Sequence, residues 1–376
     1  DMATLHPYRP ANSVRPTEMD RRGDAATPPN ASPSFAAYAQ HVRSVVDVAL
    51  PAFLQERRDA FGVAVGGGAL VADAFAALAV RGGKRLRAVL VAVAYEAWGG
   101  GGGASRIAPA LVAIELLQSY LLAHDDWMDQ DDVRRGGPSC HASLRAHTAS
   151  EHDAAIGAIL AGDLGVAVAQ RALLAVDLPA EARLAAAVIF AEMQEKVVQG
   201  QALDVFSQGD ASLGSRIRDL KTSSYTVEGP LLLGAALARG MDIPYFSQIQ
   251  EFARPVGDAF QLRDDLLSLF GDPAKTGKPR GNDLREGKRT DVIREVSGDP
   301  EAASLLEAVF GVATPDETKV DALLARIVAS GARDRVEARL EACVAAATRA
   351  LDTLPISAPS RDLFAGAVGA LVFREA

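Results

Sequence analysis

The chain has 376 residues, 49% of them hydrophobic, enough to bury one large core or two smaller ones. A formal net charge of −9 argues against a nucleic-acid partner, and no uncharged apolar stretch outside plausible core helices reaches membrane-span length. Two lone cysteines without metal-ligand spacing predict reduced thiols and a cytoplasmic protein.

Residues 1–33 hold six prolines among Asn, Thr, Arg and Ser, without periodicity and without the apolar run of a signal peptide. They read as a disordered tail, and residues 34–376 as the folded domain. Within that domain apolar residues recur at helical spacing, as at Ile107, Leu111, Ile114, Leu117 and Leu121, while alternating β-branched runs are nearly absent. The pattern predicts an all-α fold, a single large helical bundle with long helices around a central cavity.

The first chemical element is Arg81-Gly-Gly-Lys84-Arg-Leu-Arg87. Its glycines permit a tight turn, and Lys84 and Arg87 lie at i, i+3 on the turn that follows. No acidic residue stands close by in sequence to neutralise them, so an external anion suits them. Gly99–Gly103 reads as a loop between helices. Residues 124–138 are more specific: Asp125, Asp126 and Asp129 close an apolar helix, and Arg134 and Arg135 follow. Asp125 and Asp129 share a face, with Asp126 turned to the side. Carboxylates so placed repel one another and call for a cation, and Mg²⁺ accepts one or two of them beside phosphate oxygens and water. Arginine is suited to gripping those phosphates. Trp127 reads as packing, and His124 and His141 as structural hydrogen-bonding groups.

A matching acidic element lies at 257–272. Gly257, Gln261, Asp264 and Ser268 form one helical stripe, with Asp265 completing a second acidic pair. A long loop at 272–290 follows, glycine-rich and carrying Lys278, Asp283 and Lys288. Two acidic faces with basic loops beyond each are what two diphosphates bridged by Mg²⁺ require. Beyond Pro300 helical patterning resumes.

On these motifs the chain resembles the trans-isoprenyl diphosphate synthases of the polyprenyl synthetase family, over roughly residues 35 to 376. The resemblance implies that Lys84, Arg87, Gln118 and Arg135 bind isopentenyl diphosphate, and that Arg134 grips the allylic diphosphate. It likewise implies that Asp125, Asp129 and Asp264 hold Mg²⁺. Lys221-Thr222 resembles the family's lysine-threonine motif at a break in a helix, and Phe260-Gln261 and Asp264-Asp265 its second aspartate motif. Lys278 and Lys288 match the lysines after it. Two departures stand out. Ser268 occupies the place of a third aspartate, which implies weaker Mg²⁺ binding with activity retained. Arg263 stands where many relatives are neutral, and it is expected to point outward or to pair with Asp264.

The implied reaction is head-to-tail condensation of an allylic diphosphate (dimethylallyl, geranyl or farnesyl) with isopentenyl diphosphate, in a homodimer. Asp125, Asp129, Asp264, Lys221 and Arg134 carry the ionisation step. Tyr120 and Leu121 stand where the family forms the floor of its chain pocket. Tyr120 should lie roughly 7–8 Å below Asp125 along the helix and roughly 140° round it, closing the pocket from the side. An aromatic floor without an insertion in the first aspartate motif resembles the geranylgeranyl class, C20, with C15 and C25 as alternatives. A terpene cyclase would have no use for the second basic set. A non-catalytic regulatory subunit of a heteromeric synthase remains a rival, hinted at by Ser268.

Overall fold

The computed structural model describes residues 34–60, 67–206, 213–241, 243, 245–276 and 279–374. The tail reading for 1–33 and the role expected of Lys278 therefore fall outside the described residues.

Ten-residue or longer α-helices are α1 (Phe35–Ala60), α2 (Gly67–Val80), α3 (Leu86–Ala97), α4 (Ala108–Met128), α5 (Glu151–Leu174), α6 (Ala180–Phe206), α7 (Gly229–Arg239), α8 (Phe246–Phe270), α9 (Pro300–Val309), α10 (Glu317–Ala329), α11 (Ala332–Thr353) and α12 (Ala358–Val372). The only β-structure among the described residues is a hairpin of β1 (Val133–Arg134) and β2 (Gly137–Pro138), antiparallel, with Arg134 opposite Gly137. The all-α expectation holds. Local chemistry sets many of the boundaries. Ser150, Thr290, Asp299, Asp316 and Ser357 each cap a helix by accepting a hydrogen bond from a first-turn N–H. The 272–290 segment is less irregular than its glycines suggested, since it winds into single helical turns at Pro273–Thr276 and Asn282–Arg285.

Helices α3, α4 and α7 form the centre. Ala88–Tyr95, Ala110–Tyr120 and Gly229–Leu237 are buried without interruption, as befits central, largely apolar helices, with Glu115, Gln118 and Ser119 the buried polar exceptions in α4. Helices α3 and α7 meet backbone to backbone: a Cβ on Gly234 would sit 2.3 Å from the Val91 carbonyl oxygen and 2.8 Å from the Tyr95 nitrogen. Gly234→Ala is therefore expected to cost roughly 1–3 kcal/mol through overpacking, read as a lower urea midpoint at unchanged slope.

Helix α5 qualifies, by length and composition, as a membrane-span candidate, which the sequence pattern had not flagged. Half of that stretch is buried, and it packs against α4, so core packing accounts for much of its apolar character.

Between α6 and α7 the chain is π-helical over Asp219–Glu228. The wider winding displaces residues from the α-helical register and is a recurrent feature of functional sites. Its neighbours approach it through glycines. A Cβ on Gly200 of α6 would lie 2.5 Å from the Lys221 nitrogen, and one on Gly257 of α8 2.5 Å from Ser223 Oγ. The break expected at Lys221-Thr222 is thus a helix rewound and clamped between α6 and α8.

Candidate active site

The C-terminal end of α4 and the C-terminal half of α8 face each other across one cavity of about 920 Å³. Asp125 and Asp129 line one side, and Gln261, Asp264 and Ser268 the other. Arg134, Lys221, Thr222 and Lys288 line it too. Residues more than a hundred positions apart are therefore brought together as the motifs required. Asp126 and Asp265, the second member of each acidic pair, do different work. Asp126 is buried, and burial raises its carboxyl to about 6 even though Arg134 Nε donates to it at 2.7 Å. Asp265 is likewise buried. Burial raises it to about 7, while Gln261 Nε2 (2.9 Å) and the Asp291 N–H (2.9 Å) donate to its oxygens. These two carboxylates brace the helix ends.

The cavity-facing carboxylates carry internal cations. Lys221 Nζ stands 3.4 Å from Asp125 and 2.8 Å from Asp204, and Lys288 Nζ 3.3 Å from Asp129 and 2.6 Å from Glu286. Burial works against both ammonium groups, but these carboxylates outweigh it and hold both lysines above their ordinary value. Asp129 is raised by burial, against Lys288. Asp264 is engaged by the guanidinium of Arg374. Among the described residues no three His, Cys, Asp or Glu side chains converge into a ready metal cage. The donor set still suits a hard cation: carboxylate oxygens from two helices beside room for phosphate and water, with lysines that must give way.

A second group of cations gathers beyond Asp264. Lys84 is lowered by burial and by Arg374. Arg135 is lowered by burial and by Arg85, Arg87 and Arg134, with Glu115 opposing. Arg87 lies over the Tyr225 ring at 4.5 Å and donates to Thr226 Oγ1, while its buried Nε has no hydrogen-bond partner. Gln118 is buried with its side-chain oxygen unpartnered; a flipped amide would present a donor there. Clustered like charges, with the Arg87 Nε donor unused, suit an anion.

Some placements differ from expectation. Arg134 is held by Asp126 and Asp131, and Arg135 Nη1 donates to the Arg81 carbonyl, so neither guanidinium projects freely. Arg263 neither pairs with Asp264 nor points outward. It donates to the main-chain oxygen of Arg374 from Nε (3.0 Å) and Nη2 (2.8 Å). Ser268 Oγ accepts the Asp283 N–H at 3.1 Å, tying the following loop to α8. His141 bonds Ser139 and Asp132, and His124 the Ile159 carbonyl, both structural contacts. Trp127 is not packed away: it is 38% exposed and lines a second cavity.

That second cavity, about 1050 Å³, shares Asp125, Asp129 and Lys221 with the first. Leu121, Val197, Val198 and Tyr225 of α4, α6 and the π-helical segment line it together with Asp132, His141, Arg145 and Glu151, and Tyr120 stands in its wall. Tyr120 is wedged in place, since Gly165 of α5 leaves room for its Cβ and its ring meets His124 edge-on.

Sequence reasoning passed over Glu115, Asp204 and Arg374. Glu115 had a signal, a lone acid in the apolar run 110–117. Asp204 follows Gln201 at i+3, and both line the first cavity. Arg374 had none.

An all-helical fold with two aspartate faces over one cavity defines the isoprenoid synthase class of enzymes. The model of the polyprenyl synthetase family matches residues 69–327. The geranylfarnesyl diphosphate synthase of Aeropyrum pernix is 31% identical over 290 residues, 75% of this chain and 87% of that protein. The (2E,6E)-farnesyl diphosphate synthase of Mycobacterium bovis is 33% identical over 210 residues, 55% of each. The crystal structure of a geranylgeranyl pyrophosphate synthase from Corynebacterium glutamicum, complexed with isoprenyl diphosphate and magnesium, superposes with a TM-score of 0.79 at 30% identity, covering 89% of this chain and 98% of that one. The chain belongs to the polyprenyl synthetase family and is a short-chain trans-prenyl diphosphate synthase.

Proposed function

We propose that the protein condenses isopentenyl diphosphate with allylic diphosphates (dimethylallyl, geranyl and farnesyl) to geranylgeranyl diphosphate, with Mg²⁺ as its metal. One observation carries the reading: a polar cavity lined by Asp125, Asp129 and Asp264 shares walls with a second, more apolar cavity that has Tyr120 and Leu121 in its lining. An allylic substrate fits with its diphosphate at the aspartates and its chain along the second cavity.

Asp125, Asp129 and Asp264 would hold Mg²⁺, which when bound supplies Lewis-acid stabilisation of the phosphate oxygens. Lys221 and Lys288, relieved of Asp125 and Asp129, then turn their charge to the leaving diphosphate, with Arg134 in the cavity wall beside them. The allylic C–O bond breaks and its electron pair leaves with the diphosphate. Lys84, Arg87, Arg135 and Gln118 hold isopentenyl diphosphate so that its alkene lies against the allylic carbon. The new C–C bond forms, and the proton lost from the resulting cation passes to the released diphosphate. Thr222 and Gln261 present dipoles rather than full charges beside the cation.

The test is to size the products formed with each allylic primer, with and without Mg²⁺. Mg²⁺-dependent C20 product is expected. C15 or C25 would overturn the chain-length reading, and no elongation with any primer would shift the assignment to a regulatory subunit. Tyr120→Ala is expected to lengthen the product by at least one C5 unit; an unchanged product would remove Tyr120 from its assigned role. We further assign a homodimer, with a second copy covering Ile156, Ile159 and Leu160 of α5 and Leu184 of α6, all exposed here. Sedimentation at micromolar protein checks it.

A further inference from the structure

Helices α4 and α5 pack so closely that two side chains of α4 lie on glycines of α5. A Cβ on Gly165 would sit 2.6 Å from the Tyr120 Cβ and 2.6 Å from the Phe75 ring. One turn away, a Cβ on Gly162 would sit 1.9 Å from His124 Nε2 and 2.4 Å from its Cδ2, so the imidazole rests directly on the Gly162 backbone. The same nitrogen donates to the Ile159 carbonyl oxygen at 3.2 Å, and the ring meets that of Tyr120 edge-on at 6.1 Å. Tyr120 and His124 are i, i+4 on α4, and both line the second cavity. Asp125 follows His124 at once, so the imidazole stands about 6 Å along the axis from Tyr120, on the side of the carboxylates. The two glycines differ in what a Cβ would meet. At Gly165 it is an atom fixed to the neighbouring helix, and at Gly162 the far end of a side chain that can turn about χ1.

We propose that Gly162 sets product length through His124: because it has no side chain, the imidazole lies back against α5 and the second cavity stays open to the growing chain. Any side chain at 162 takes that seat. The ring is then closed off on the α5 side and by Tyr120 beside it, and the open volume left to it is the cavity it already lines. Prising the helices apart instead would disturb a close-packed contact, which costs more than a change of rotamer. An imidazole holds about as many heavy atoms as one isoprene unit. Displaced, it narrows the path between the carboxylates and Tyr120. Gly162 lines neither cavity, so it is a positioning residue. The inference rests on the chain-elongating function proposed above, and not on C20 as its product.

The full chain is compared with Gly162→Ala and with the double variant Gly162→Ala/His124→Ala by sizing the products with Mg²⁺. Gly162→Ala is expected to shorten the main product by one C5 unit. The double variant should restore the wild-type length or exceed it, since no ring is left to displace. A general loosening of the bundle would lower turnover without moving product length, and removing a second side chain would not rescue it. Wild-type product length from Gly162→Ala, or a short product persisting in the double variant, overturns the proposal. Should Gly162→Ala not fold, His124→Trp decides. Its ring overfills the seat with α5 untouched, so a shorter product is expected and an unchanged one overturns the proposal. Calorimetry with non-ionising thiolodiphosphate analogues of farnesyl and dimethylallyl diphosphate separates this from the function it rests on. Wild type that elongates no primer removes that function. The inference then stands if Gly162→Ala weakens binding of the farnesyl analogue roughly tenfold more than that of the dimethylallyl one, and falls if both weaken alike.

Discussion

Asp125→Ala is expected to lower kcat for isopentenyl diphosphate turnover by about a thousandfold or more, the equivalent of roughly 4 kcal/mol of lost transition-state stabilisation. Asp125 lines both cavities and shares Lys221 with Asp204, so on the proposed function its loss would remove a metal-binding oxygen where the two cavities meet. It also lets Lys221 settle on Asp204 alone, away from the leaving group. Single-turnover assay with geranyl diphosphate at saturating Mg²⁺ reads the effect. A variant within tenfold of wild type would dismiss Asp125 as a metal ligand. The loss is in rate rather than folding, because the Asp125 side chain is 29% exposed and takes no part in the buried pairs that brace α4.

Glu115→Ala should produce the largest loss of stability, roughly 3–5 kcal/mol. Glu115 lies in the central helix α4, and its Oε2 accepts from Arg85 Nη1 at 2.9 Å, with both side chains under 5% exposed. Truncation leaves the Arg85 guanidinium buried with Asp47, 3.3 Å away and half-exposed, as its remaining ion-pair partner. Arg85 also adopts a left-handed backbone (φ 50°) between Lys84 and Arg87. The ion pair thus fixes the turn that aims Lys84 and Arg87, and Arg135 loses a nearby negative charge as well. Denaturant unfolding measures the stability. A raised KM for isopentenyl diphosphate in the surviving folded protein measures the displaced turn. Full stability in Glu115→Ala would refute the account.

Much of this was legible from residue order because it depends on short spacings. The all-α class follows from apolar periodicity, a local property of each helix. The i, i+4 relation of Asp125 and Asp129 puts both on one face whatever the helix packs against, and the Gln261, Asp264 and Ser268 stripe follows in the same way. The turn chemistry of Gly82-Gly83 and the break at Lys221-Thr222 are local as well, although only the structure showed the break to be π-helical.

The sequence by itself therefore determined the helices and the two acidic faces. Tertiary structure decided which charge meets which. Lys288 reaches Asp129 across 159 positions and Arg374 reaches Asp264 across 110. Arg263, adjacent to Asp264, instead bonds a main-chain oxygen 111 positions away. It also decided that Arg134 and Arg135 are braced and that Trp127 lines the second cavity. Residue order sets the direction of a side chain relative to its own helix. Its partner depends on how helices cross and on which end of a long side chain finds an opposite charge, and that information exists only once the bundle has packed.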